Sequence, residues 1–129
     1  MARPEHWLRF AKDGLLLAKM SISADYLIIV GALYHSQQCA EKALKAYLSF
    51  KEKVPPRTHD LANLIYLCAV FDQEFLIFLE DADILTPFSV ASRYPDNVYS
   101  FPDLGLAQSA IIRAEKILIV VENKIENEI

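Results

Sequence analysis

The sequence predicts an all-α protein: an antiparallel up-and-down bundle of four to five helices, in one domain spanning residues 1–129. Three observations carry this. Strand-like alternation is nearly absent, while apolar residues recur with the 3.6-residue period of a helix over most of the chain. There are only 3 glycines and 6 prolines, so breaks are few and sharply placed. Hydrophobic residues make up 53% of the chain and charged residues 23%, which is enough to build a core and too apolar for a disordered segment.

The first helix is expected after Pro4, whose missing N–H costs little in a first turn, and runs to about Met20. Trp7, Phe10, Ala11, Leu15 and Ala18 form its apolar stripe. The second covers about Ala24 to Lys53. On a helical wheel Leu33, Ala40, Leu44, Tyr47 and Lys51 share a narrow arc, with Gln37 and Leu48 beside it. Pro55-Pro56 forces an extended break. A short third helix is expected with Thr58 as its N-cap, over His59 to about Ala69, and a fourth from about Gln73 to Leu85. Thr86 to Pro102 contains three prolines and reads as a loop with room for one helical turn. The last helix covers about Asp103 to Asn127, with a carboxylate at the positive end of its dipole. Ala107, Ala110, Ala114, Leu118, Val121 and Ile125 make its core seam. Ile112 and Ile119 point to another side and predict a helix–helix contact beyond the monomer core.

Composition narrows the function classes. A net charge of −4 and a pI near 5.3 argue against a surface coated in positive charge for sequence-independent nucleic-acid binding. Cys39 and Cys68 match no zinc or redox spacing and read as reduced thiols packed in an intracellular protein. Arg3, Glu5, His6 and Arg9 interrupt any signal-peptide pattern at the start. The longest uncharged apolar run, Tyr26 to Tyr34, is far short of the roughly 20 residues that span a bilayer. The expectation is a cytoplasmic protein with no membrane association. No Gly-rich loop precedes a helix and no His/Cys/carboxylate cluster has metal spacing, so no cofactor and no metal are expected. His35 and Cys39, four residues apart, are too few ligands for a metal.

The polar stretch HSQQCAEKALKAYL, His35 to Leu48, is the first candidate site. On a wheel Glu41, Lys45, Gln38, Lys42 and His35 occupy one flank beside the core arc, and Glu41 and Lys45 form an i,i+4 pair in the favoured orientation. The plain alternative is a solvated helix face. Gln37, on the core edge, needs partners if buried. Between Lys42 and Arg57 lie five cations (Lys42, Lys45, Lys51, Lys53 and Arg57), while Asp72 to Asp83 holds five acids and no cation. The molecule is therefore expected to be electrostatically two-sided, with a cationic flank suited to a phosphate-bearing ligand. RTHDL, Arg57 to Leu61, reads either as a plain helix start or as Arg57 and His59 facing a phosphate at a helix N-terminus. SRYPDNVYSFPD, Ser92 to Asp103, gathers Arg93, Tyr94, Tyr99 and Phe101. Arg93 or Tyr94 is placed to stack on a base, or else the aromatics fasten the loop while Arg93 pairs with Asp96 or Glu41.

QQCAEKALKAYL, a proline break with THDL, then SRYPD and a long closing helix, together resemble the HEPN domain family, over nearly the whole chain from WLRFAKDGLLLAK to AEKILIVVENK. The resemblance implies an antiparallel helical bundle, usually a homodimer, with a nucleotide- or RNA-related role. It also implies pairing with a small nucleotidyltransferase, in some members as a toxin–antitoxin system. The active branch resembles metal-independent endoribonucleases with an Arg, four to six residues, then a His. There the His trades a proton with the ribose 2′-OH and the Arg steadies the phosphate. This chain departs from that pattern. His6 has only Met1 at a qualifying distance, His35 has Ile28 to Val30, His59 has Glu52 to Val54, and no His follows Arg93. Lys53, Arg57 and His59 are the only parts such a nuclease would have here. The expected ligand-binding set is Gln38, Glu41, Lys42, Lys45, Arg57, His59, Arg93 and Tyr94, for a nucleotide or RNA phosphate. A purely structural dimeric interaction module is the remaining alternative.

Overall fold

A computed structural model describes residues 2–89 and 102–128. The described residues form five α-helices and no strand: α1 Pro4–Ser21, α2 Ile29–Phe50, α3 Leu61–Ala69, α4 Leu79–Leu85 and α5 Leu104–Asn127. The expected fourth helix is divided, with a 3₁₀ segment Gln73–Phe78 before α4 and another, Thr86–Ser89, after it.

Helix α1 starts with Pro4 in its first turn and Arg3 extended before it. It buries Ala11, Gly14 and Ala18, a line of small residues that lets its backbone come close to α2. A Cβ on Gly14 would lie 3.4 Å from the His35 carbonyl oxygen and 3.5 Å from the Cys39 nitrogen. Phe10, expected in the stripe, is 61% exposed instead. It stands too far around the helix from that small-residue line to enter a close backbone contact.

Helix α2 begins at Ile29, later than expected, because the turn from α1 uses residues up to Ile28, whose N–H donates to the Ser21 carbonyl at 2.7 Å. It ends at Phe50, before the prolines. The Lys53 N–H donates to the Leu48 carbonyl and the Glu52 N–H to the Ser49 carbonyl, a Schellman closure with Glu52 at φ 61° where glycine is usual. Thr58 is not the cap of α3. Asp60 is, accepting from the Ala62 and Asn63 N–H groups, while Thr58 Oγ1 accepts from the Asp60 N–H. Asp103 caps α5 by accepting from the Leu106 N–H at 2.9 Å.

The contacts fix the helix directions. Ser49 Oγ donates to the Ala2 carbonyl and Gly14 lies on Cys39, so α1 and α2 are antiparallel. Lys12–Glu122 and Lys19–Glu115 make α1 antiparallel to α5 as well. Lys51–Glu128 brings the C-terminal ends of α2 and α5 together, so these two run in the same sense. The return is made by α3 and α4, which at 9 and 7 residues are too short to act as full bundle helices.

All six expected seam residues of α5 are buried, against Leu33, Ala40, Leu44, Tyr47 and Leu48 of α2 among others. Phe75 fills the junction, its ring 4.6 Å from Tyr47 and 6.5 Å from Phe78 between centroids. Ile112 and Ile119 are 62% and 49% exposed, on the side of α5 away from that core. The acidic stretch does not form a bare anionic face. Asp81 is buried and takes Arg113 at 2.7 Å and Lys116 at 3.2 Å, and Asp72 takes Lys124 at 2.6 Å. The sequence could not show this, because the neutralising cations come from α5, tens of residues away. Cys39 and Cys68 are buried, and burial pushes both thiols up to about 12. Among the described residues, no helix is long and apolar enough to cross a membrane.

Candidate functional site

Glu41 sits at mid-length in α2 with no solvent exposure. A buried carboxylate is costly unless its oxygens are filled, and here the chain fills both. Oε2 accepts from Lys45 Nζ at 3.1 Å and from Lys42 Nζ at 3.3 Å. Oε1 accepts from Gln37 Nε2 at 3.3 Å and contacts His59 Nδ1 at 2.7 Å. Gln37 Nε2 also donates to the His59 carbonyl at 3.1 Å, and Gln38 Nε2 donates to Gln37 Oε1 at 2.7 Å. The fully buried Gln37 amide thus ties α2 to the segment before α3 and meets the need for partners that its position on the core edge implies.

Helical spacing explains how one element supplies most of this. Gln37, Glu41 and Lys45 are successive i,i+4 neighbours, and Gln38 and Lys42 lie one residue further round. His59 arrives from the linker because Pro55-Pro56 and the Asp60 cap together set where α3 begins. Trp7 of α1 forms the floor: the Lys42 and Lys45 ammoniums stand 5.6 Å and 5.7 Å from its ring centroid. The Trp7 Nε1–H is buried without a hydrogen-bond partner among the described residues.

Two opposed effects act on the Glu41 carboxyl. Burial pushes its pKa up. The hydrogen bond from His59 and the charges and contacts of Lys45 and Lys42 outweigh that, and hold it below the ordinary carboxylate value. Glu41 is therefore ionised at neutral pH. It follows that His59 carries a proton on Nδ1 and donates it to Glu41. His59 Nε2 is left without a hydrogen bond among the described residues, on a side chain that is 59% exposed.

The structure therefore brings together Gln38, Glu41, Lys42, Lys45 and His59 of the expected set. Against the plain alternative of a solvated helix face, Glu41 and Lys45 are buried. The flank of α2 is covered by α1 and by the linker, neither of which a wheel of α2 can contain. Arg57 is exposed at the bend before His59 and adds no hydrogen bond or ion pair to the cluster among the described residues. Lys53 is exposed and lines a separate apolar groove with Leu48, Val54, Pro56, Leu67, Val70 and Phe71. The His35 ring meets Tyr34 edge-on, 5.3 Å between centroids, and its burial lowers its pKa. Arg93 and Tyr94, with Tyr99 and Phe101, lie outside the described residues. The residue that sequence reasoning missed is Trp7, assigned to the core stripe. Its single signal was that it is the only tryptophan, at the end of a stripe otherwise rich in small residues.

Comparison with known proteins agrees with this architecture. The HEPN domain profile matches residues 4–124. The crystal structure of TT1696 from Thermus thermophilus superposes with a TM-score of 0.77 at 28% identity, covering 96% of this chain and 99% of that one. ST0689, an archaeal HEPN homologue, gives a TM-score of 0.74 at 31% identity, covering 97% of this chain and 99% of its own. No curated protein matches the sequence significantly. Family profile, helix order and overall superposition converge: the chain belongs to the HEPN domain family.

Proposed function

We propose that the Glu41 cluster binds the phosphate of a nucleotide or RNA, and that the chain does so as the partner of a small nucleotidyltransferase, in the manner of a toxin–antitoxin pair. One observation carries the phosphate reading. Two ammoniums share a single buried carboxylate, so the cluster holds one positive charge in excess before His59 is counted. An excess charge in a poorly solvated place favours a bound anion. Lys42 and His59, with side chains 25% and 59% exposed, are where that anion has access.

A thermal melt with and without ligand tests this. Millimolar AMP, ATP or a short single-stranded RNA should raise the melting temperature of the wild type, by mass action on the native state. At about 100 times the dissociation constant the gain is about 2.7 kcal/mol. Adenosine, which lacks the phosphate, should give no shift. Lys42→Ala should lose most of the shift while leaving the buried Lys45–Glu41 pair intact. No shift with any phosphate-bearing ligand rejects the proposal, and an equal shift with adenosine rejects the role given to phosphate. Co-expression with a nucleotidyltransferase encoded beside the chain tests the partner, which should co-purify.

A second reading is favoured by the His59–Glu41 contact. A carboxylate on Nδ1 holds the imidazole in the tautomer whose Nε2 is a proton acceptor facing outward, the arrangement of a general base. Metal-independent RNA cleavage would then use His59 as base, with Lys53 and Arg57, close to it in the sequence, as the cations in place of the absent Arg–His spacing. Cleavage of single-stranded RNA in EDTA that disappears in His59→Ala is the expected result of this reading. Intact RNA at high protein concentration removes it and leaves binding alone.

A further inference from the structure

The groove between the end of α2, the proline linker and the end of α3 takes no part in the Glu41 cluster, and two features set it apart from ordinary surface. It is a concavity of about 270 Å³ in which every lining residue but Lys53 is apolar. Two of those residues, Val54 and Val70, are each 78% exposed, so water rests on branched aliphatic side chains. The second feature is charge. Every other lysine of the chain stands within 3.3 Å of a carboxylate oxygen. Lys53 has no such partner among the described residues, and no acid lines the groove with it.

The groove is also built on firm backbone. The Lys53 N–H donates to the Leu48 carbonyl at 3.0 Å, which fixes where the chain leaves α2. Pro56 has a locked φ and follows a second proline. Leu67 and Phe71 are i,i+4 neighbours, and the Phe71 N–H donates to the Cys68 carbonyl at 3.0 Å. Little backbone freedom remains to be lost when a ligand enters.

We propose that this groove binds a small aliphatic carboxylate, with its carbon chain on the apolar lining and its head group on Lys53 Nζ. Three observations select that class. An apolar lining with a single polar group is the usual make-up of a small-molecule site, and a volume just under the common range of about 300–1,000 Å³ suits a chain of medium length. A protein partner would need about 800 Å² and about 20–30 residues on each side, and seven lining residues do not supply that. With one cation in the lining, a singly charged carboxylate is matched, while a phosphate dianion is left half neutralised. The ligand carries no phosphate, so the inference stands apart from the proposal for the Glu41 cluster. Lys53 is also a cation of the proposed cleavage, but octanoate is measured without RNA, so either can fail alone.

Titration of the isotope-labelled full chain with octanoate, followed by amide chemical shifts, tests it. Saturable shifts should centre on Lys53, Val54, Leu67, Val70 and Phe71, with a dissociation constant on the order of 1 mM or tighter. Octanol, with the same chain and no charge, should bind about 10-fold more weakly. Lys53→Gln should weaken octanoate about 10-fold and leave octanol unchanged. Val70→Glu, at an exposed position where the fold tolerates change, should keep its helical circular dichroism and abolish octanoate binding. No saturable shift at these residues up to about 10 mM octanoate overturns the inference. So does octanol binding as tightly as octanoate, or octanoate binding that survives Lys53→Gln or Val70→Glu unchanged. An acidic apolar peptide that shifts these amides where octanoate does not would overturn it in favour of a protein partner.

Discussion

Glu41→Ala should destabilise the protein by about 3–5 kcal/mol, the cost of breaking a buried ion pair from one side. The melting temperature should fall on the order of 10–20 °C. The loss exceeds that of a surface salt bridge because Lys45 is left buried with no counter-charge, while Gln37 and His59 lose an acceptor. The same group gives a pH signature. In the folded chain the Glu41 carboxyl lies below its ordinary value of 4.5, so folding favours its ionised form. That contribution is fully present above pH 4.5 and is lost as the pH falls below it, through the folded value. Glu41→Gln keeps the size and removes the titration, so its stability should be flatter than wild type across this acid window. Chemical denaturation at a series of pH values measures both effects. A cost below about 1 kcal/mol for Glu41→Ala, with an unchanged acid limb for Glu41→Gln, would mean that the carboxylate is solvated and the cluster is only a surface feature.

Phe75→Ala should cost about 3–5 kcal/mol, through lost burial and the cavity left behind. Phe75 has no exposure and packs between Tyr47 and Phe78, with the Lys124 ammonium 5.5 Å from its ring centre. Its removal loosens the 3₁₀ segment from α2 and takes the ring away from Lys124, which keeps its ion pair with Asp72. Phe10→Ala, the same chemical change at a residue 61% exposed, should stay within about 0.5 kcal/mol. Equal costs at the two positions would contradict the packing described for α1 and for the junction.

That contrast shows where sequence reading reaches its limit. Periodicity ranked Phe10 with Ala11 and Ala18, because a wheel records direction and not how closely the neighbouring helix approaches. Close contact at Gly14 decided that only small residues of α1 are fully buried, while Trp7 and Leu15 stay half-buried against the core. The α5 seam, by contrast, was legible residue by residue, since a long helix packed along one side obeys its own period. Helix ends were legible where proline or an acid marks them, as at Pro4 and Asp103. They were displaced at Ile28, whose N–H is taken by the Ser21 carbonyl, and at Asp60, where Thr58 two residues earlier offers a competing cap.

For the candidate site the division is the same. The sequence alone determined the fold class, the resemblance to a family, and the placing of Gln37, Gln38, Glu41, Lys42 and Lys45 on adjoining faces of one helix, because all of these follow from local spacing. Only the tertiary structure decided that Glu41 and Lys45 are buried, that His59 closes on Glu41 from 18 residues away, and that Trp7 lies beneath the two ammoniums. Burial and charge pairing between distant segments depend on which surfaces the chain brings together. No period along a single helix encodes that.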